Sequence, residues 1–420
     1  MTRKPFLTPG VCLAGLALAA PAGAQKATGP TALYWMDAET NAGLGAMTGG
    51  GRPGMGSMMG AMMSGGGGFN PNQANKNLLL ELGSQQKPAG GAAEADHLPP
   101  STLGAGRALP LTYKANPSPT GSTPLERPKG RMLIYWGCGE RAGAGQPAVI
   151  DFAKLGRGAP MPQIGTVNIG RDRSPSAGGW ATYGSWPNER TRSTVPPTGR
   201  LAGMHTVSSN YAPEISFTLT ANQDFMAPLQ LKADGKTAAG GTLLTWRPVP
   251  RATGYGAVVI GSQGRGDTVV VWSSSKSQLA GTALMDYLSP AEARRLIGQG
   301  VVMPPETTSC AVPAEVTQAV GEGGMVQMIA YGDEANFSYP PKPSNPKQPW
   351  KLEWSAKVRY KSTAMQMLGV DMAEMMGGGD EGYEDEDRPR GPQRGQQQQQ
   401  PNRGRDIMRG LGGIGGLIRP

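Results

Sequence analysis

Sulfur supplies the densest chemistry in this chain. Met55, Met58, Met59, Met62 and Met63 fall in one Gly-rich stretch, and Met365, Met367, Met372, Met375 and Met376 form a second group. Thioethers are soft ligands suited to Cu(I) or Ag(I), so the first group is the candidate metal site. No His accompanies either group. The competing reading is a compositional loop followed by a sticky amphipathic helix. Cys138 and Cys310 are the other sulfur pair. An oxidising compartment permits a disulfide between them, with two separate buried thiols as the alternative.

Aromatic rings with arginines form a second constellation. Trp180, Tyr183 and Trp186 stand among Arg171, Arg173, Arg190 and Arg192. Exposed, such rings stack on sugars or bases; the competing reading is that they fold back over a sheet edge, since large rings are on average buried. Three further motifs lack their context. Gly137-x-Gly139-x-x-Ala142 follows an apolar run, but Gly143, Gly145 and Pro147 follow where a dinucleotide-binding helix must begin. Ser273-x-x-Lys276 matches an acyl-enzyme pattern without its companion motifs. Arg265-Gly266-Asp267 is a tight turn between strands. The two histidines, His97 and His205, are far apart in sequence, and Asp96-His97 beside Pro99 and Pro100 reads as a loop pair. These patterns assign no catalytic residue and no cofactor.

The segments that must position these residues are mostly β. Gly and Pro number 64 and 38 in 420 residues, and only 17% are charged, a composition that favours turns between short strands. Arg3 and Lys4, an apolar run densest from Val11 to Ala20, and Ala22-Gly23-Ala24 predict a leader over residues 1–24 with Gln25 as the first mature residue. No stretch approaches the length of a transmembrane helix. The expectation is a periplasmic or secreted protein. Its formal charge of +9 suits acidic envelope polymers and does not call for nucleic acid.

Strands are predicted over Thr31–Thr40, Asn77–Leu82, Arg131–Trp136, Pro147–Leu155 and Glu214–Thr220. The last alternates, with Ile215, Phe217 and Leu219 inward. Residues 43–68 read as a flexible Gly/Met-rich loop between the first two strands. These pieces make an N-terminal β-domain over 25–222. A second domain over 223–361 centres on Gly241–Trp272. Ser289-Pro290-Ala291-Glu292 is a capping box that starts a helix. Leu352, Trp354, Ala356, Val358 and Tyr360 alternate with Glu353, Ser355, Lys357 and Arg359, a strand with a charged outer face. Residues 362–420 read as a Met-rich segment, with a short helix, and a disordered acidic, Gln- and Arg-rich tail.

Trp246-Arg247-Pro248-Val249-Pro250-Arg251-Ala252-Thr253-Gly254-Tyr255 resembles the fibronectin type III domains of bacterial exported proteins, and residues 325–341 resemble a later strand of that family. The resemblance covers roughly residues 225–361. It implies a β-sandwich with Trp246 and Tyr255 in its core, and a binding or spacer module. About fifty residues with the capped helix, between Trp272 and Met325, depart from the family pattern. The fold expected is therefore all-β: two β-sandwich-like domains, the second fibronectin-like with a helical insertion. The function expected is non-enzymatic binding or scaffolding in the cell envelope, with envelope proteins or polysaccharide as partners. A secreted hydrolase and a Met-mediated Cu(I)/Ag(I) binder are the alternatives.

Overall fold

The computed structural model describes residues 27–47, 74–113, 130–155, 165, 167–191, 193–264, 267–279, 281–345 and 348–370. The Met55–Met63 group, the leader, Arg265-Gly266 and everything after residue 370 lie outside them. The strands are β1 (Ala27–Thr28), β2 (Ala32–Gly43), β3 (Asn75–Ser84), β4 (Ala95–Leu98), β5 (Leu109–Pro110), β6 (Thr112–Tyr113), β7 (Arg131–Trp136), β8 (Ala148–Asp151), β9 (Thr182–Trp186) and β10 (Gly203–Ser209). They continue with β11 (Ile215–Leu219), β12 (Leu231–Lys236), β13 (Thr242–Trp246), β14 (Gly254–Gln263), β15 (Thr268–Ser273), β16 (Ser309–Val312), β17 (Met325–Tyr339), β18 (Trp350–Lys351) and β19 (Trp354–Met367). The protein is all-β.

One ten-stranded sheet, in the order β6-β9-β3-β2-β19-β17-β14-β15-β7-β8, organises the molecule. Two smaller sheets, β11-β10-β4-β5 and β12-β13-β16, complete the fold with the short β1-β18 pair. Alternation explains how they pack. Leu78, Leu80 and Leu82 of β3 stand opposite Ala38, Met36 and Tyr34 of β2, and these oppose Tyr360, Val358 and Ala356 of β19. All belong to one apolar cluster with Phe217 from the four-stranded sheet and Leu231 and Leu244 from the three-stranded one. Both smaller sheets therefore cover the same face of the large sheet. At about 1.5–3 kcal/mol per fully buried large apolar side chain, this row of side chains is what makes the layers adhere.

The boundary expected at 222/223 does not separate two sheets. β2 pairs in parallel with β19, and β7 pairs in parallel with β15. Strands from both sides of that boundary interleave, because each edge of the second region's strands is extended by strands from the first. Local alternation predicts strands but carries no information on which distant strand lies beside which. β19 is thus a central strand, and it runs on through Met365 to Met367 where a short helix was expected. β9 and β10 form in a Gly-, Pro-, Arg- and Ser-rich stretch whose local strand signals are weak. Gly184 in β9 lies where an added Cβ would sit 2.8 Å from the Leu111 carbonyl oxygen, so the residue that weakens the strand signal is the one close packing requires.

The predicted helix forms as Pro290–Gly298, with the Ser289 side chain accepting from the Glu292 amide. Helices also form at Phe152–Leu155, inside the predicted fourth run, Pro147–Leu155, and at Ala314–Val320.

Candidate functional site

The second face of β2 carries Trp35, Asp37, Glu39 and Asn41. β19 presents Lys357, Arg359, Lys361 and Thr363 to the same face, and the parallel register sets them side by side: Lys357 with Trp35, Arg359 with Asp37, Lys361 with Glu39, Thr363 with Asn41. Opposite charges thus meet at the two central rungs. Arg359 grips Asp37 with both branches, Nε donating to Oδ1 at 2.6 Å and a terminal amine donating to Oδ2. Lys361 lies 3.3 Å from Glu39, and Lys357 lies 3.5 Å from Glu334 of β17 and pairs with Asp172. Thr363 donates to Glu39 at 3.3 Å.

Aromatic rings wall these cations. The Arg359 guanidinium sits 4.3 Å from the Trp35 ring centre and 4.4 Å from that of Tyr287, and Lys361 is 4.5 Å from Tyr287. Trp35 is itself buried. Excluding water strengthens every charge interaction here and also penalises any charge left alone. Burial pushes the Asp37 carboxyl above the usual carboxylate range, against the pull of Arg359 and Lys361. Burial also raises Glu334. The phenol of Tyr287 is pushed well up, first by burial and then by Asp37 and Glu39.

Beside this ladder, on β3, Glu81 stands opposite Trp35. It accepts the Tyr183 hydroxyl proton at 2.7 Å. Burial raises the Glu81 carboxyl, Tyr183 draws it back, and Asp37 raises it again. Shifted carboxylates cluster at functional sites, and buried ion-pair networks such as the neighbouring ladder shift them as well. The chemistry available is proton holding at Glu81 and charge pairing along β2 and β19.

The aromatic trio divides. Trp186 is 2% exposed and belongs to the main core, so it has no face to offer a ligand. Tyr183 serves Glu81. The Trp180 ring lies against Gly83, where a Cβ would come within 2.6 Å of it. Arg171 lies 3.7 Å from Asp286 and donates to the Ala283 carbonyl. Arg192 falls outside the described residues. No helix begins after Gly137; its amide donates to Ser273 O.

Cys138 and Cys310 form a disulfide with Cα atoms 5.2 Å apart. It ties the end of β7 in the large sheet to β16 in the three-stranded one.

The histidines are the largest departure from the sequence reading. His97 is on β4, not in a loop, and both rings are fully buried. The Tyr34 hydroxyl lies 2.9 Å from His97 Nδ1, His97 Nε2 lies 3.1 Å from His205 Nδ1, and His205 Nε2 lies 2.7 Å from the Leu201 carbonyl. One arrangement of protons satisfies every contact. Tyr34 donates to His97, His97 donates to His205, and His205 donates to Leu201, with both rings neutral. Burial holds both imidazoles below their ordinary range, His97 strongly so, and His205 adds to the lowering at His97.

The signal for the ladder was present in the text. Trp35-x-Asp37-x-Glu39 and Lys357-x-Arg359-x-Lys361 are matched alternations of opposite sign. The signal for the histidine chain was weaker: inward alternation on two short strands.

Among the described residues, no group of three or more His, Cys, Asp or Glu is placed to hold a metal ion, and no helix is long and apolar enough to cross a membrane. No family model, curated protein or solved structure matches the chain.

Proposed function

We propose that this chain is an exported, non-enzymatic binding or scaffolding protein of the cell envelope, built round a fibronectin type III-like sandwich that spans β12 to β19. The observation that carries the reading is strand order. β12-β13-β16 forms one antiparallel sheet, and β15-β14-β17-β19 forms the antiparallel part of the other. Two such sheets, packed through alternating inward residues, are the architecture of that sandwich class. The residues behind the resemblance also meet: the Trp246 and Tyr255 rings lie 5.5 Å apart, and the Val249 amide donates to the Tyr255 hydroxyl at 2.9 Å. The added strands on either side widen one sheet into a broad platform. The disulfide supports an oxidising compartment, and the positive balance supports acidic envelope partners.

The competing reading is a hydrolase that uses Glu81, whose carboxyl is raised by burial. A broad hydrolase screen on the purified protein separates the two. The scaffold reading expects no turnover above background, and stable association with isolated envelope fractions. Turnover abolished by Glu81→Gln in a folded variant overturns it.

A further inference from the structure

The disulfide is lopsided. Cys310 is 3% exposed, whereas Cys138 is exposed and opens onto a cavity of about 450 Å³. The wall round Cys138 includes Trp136, Arg141, Gln146, Lys276, Val302 and Met303. Met303 Sδ touches Cys138 Sγ at 3.8 Å, and the Ser274 carbonyl oxygen lies at 3.9 Å. Two cations line this space and no carboxylate does. Arg141 is answered by Glu315 at 3.6 Å. Lys276 is exposed and makes no ion pair among the described residues. The cavity therefore presents one accessible sulfur, an apolar wall and a free positive charge.

We propose that this cavity is a thiol–disulfide exchange site that admits small anionic thiols to Cys138 Sγ. The incoming thiolate attacks Cys138 Sγ and forms a new S–S bond to it. The Cys138–Cys310 bond breaks, and its electron pair leaves on Cys310 Sγ, which then takes a proton from water. A second thiolate attacks the ligand's sulfur in the mixed disulfide, releasing the external disulfide and a Cys138 thiolate. Two external thiols are thereby oxidised and one protein disulfide is reduced, so electrons balance. Attack goes to Cys138 because exchange requires access to the sulfur. Lys276 concentrates anions at the mouth. Exposed disulfides are the labile and regulatory kind, and opening this one removes the only covalent tie between β7 and β16 among the described residues.

The test uses the full native chain with two probes, 2-mercaptoethanesulfonate as the anion and 2-mercaptoethanol as the neutral thiol, at matched thiolate concentration. The reaction is quenched with N-ethylmaleimide and mapped by peptide mass spectrometry. The proposal expects the thiol adduct on Cys138, the maleimide on Cys310, and faster reaction of the anion. The anion-to-neutral rate ratio should fall about two- to fivefold in Lys276→Ala and further in Lys276→Glu at low salt. An adduct on Cys310, reaction only in denaturant, or an unchanged ratio in both variants overturns it.

Discussion

The two faces of β2 handle buried polarity in opposite ways. On one face Tyr34 joins a chain of neutral donors and acceptors that ends on a backbone carbonyl. On the other, one residue along, Asp37 and Glu39 meet full positive charges from β19. The difference follows from water. The Tyr34 face lies beneath the four-stranded sheet, and both histidines there are 0% exposed. A charge in that layer has neither solvent nor counter-ion, so only neutral groups in a fixed tautomer persist. The Asp37 face is roofed by side chains rather than by a sheet, and its outer members reach solvent: Asp172 and Asp286 are 43% and 45% exposed. Charge survives there because each member has a partner and the rim stays wet.

The comparison breaks most readily at Arg359. Arg359→Met leaves Asp37 buried without its partner and should cost about 3–5 kcal/mol in urea unfolding. Asp37→Leu combined with Arg359→Met should recover most of that loss, since an apolar pair of similar volume replaces a buried ion pair with little penalty. If the double variant is as weak as the single one, the ladder does more than pair charges.

Acid tests the other face. Both histidines have folded pKa values below the ordinary value of about 6.5. The unfolded chain therefore binds protons first, and stability is full above that value. It falls as pH drops from about 6.5 toward the folded values, by about 1.4 kcal/mol per pH unit for each histidine. Urea midpoints at about pH 7.5 and about pH 5.5 measure the loss, and the slope should flatten in His97→Gln with His205→Gln. The polar face pulls the opposite way. Asp37 and Glu334 have raised values, so their contribution is full below the ordinary carboxylate range and is lost as pH rises through the folded values. A loss that begins only near pH 4 would sink the histidine account.

Two smaller substitutions sharpen the contrast. Tyr34→Phe removes the donor to His97 and strands Nδ1 in a dry layer, at a cost of about 1–2 kcal/mol in the same unfolding measurement. Glu81→Gln keeps an acceptor for Tyr183 on a more open face, so it should cost less than about 1 kcal/mol. If the second loss exceeds the first, burial is not what distinguishes the faces.

Local alternation made many single elements legible. Ile215, Phe217 and Leu219 are buried as the pattern requires, and Ser289 caps its helix. Partnership between elements was not legible to the same degree. The charged side of β19 reads as a solvated outer face until Asp37 and Glu39 are set beside it, and nothing local to either strand says that they are neighbours. His97 sits beside prolines in a four-residue strand, too short for alternation to declare an inward face. Between the two readings of Trp186, ligand stacking and folding back over the sheet, the strand formed by its Gly and Ser neighbours decides for burial, because it turns the ring into the core.

The pairing of β2 with β19 joins residues separated by 322 positions. A chain made from its N-terminus releases β2 among the first segments, and its neighbour on that side arrives only when β19 is complete. Contacts of such separation form slowly, and until then β2 exposes an unsatisfied edge with half of a charge code. The span from Trp35 to Asn41 therefore waits through most of synthesis for its partner, and a holding chaperone would protect it over that interval.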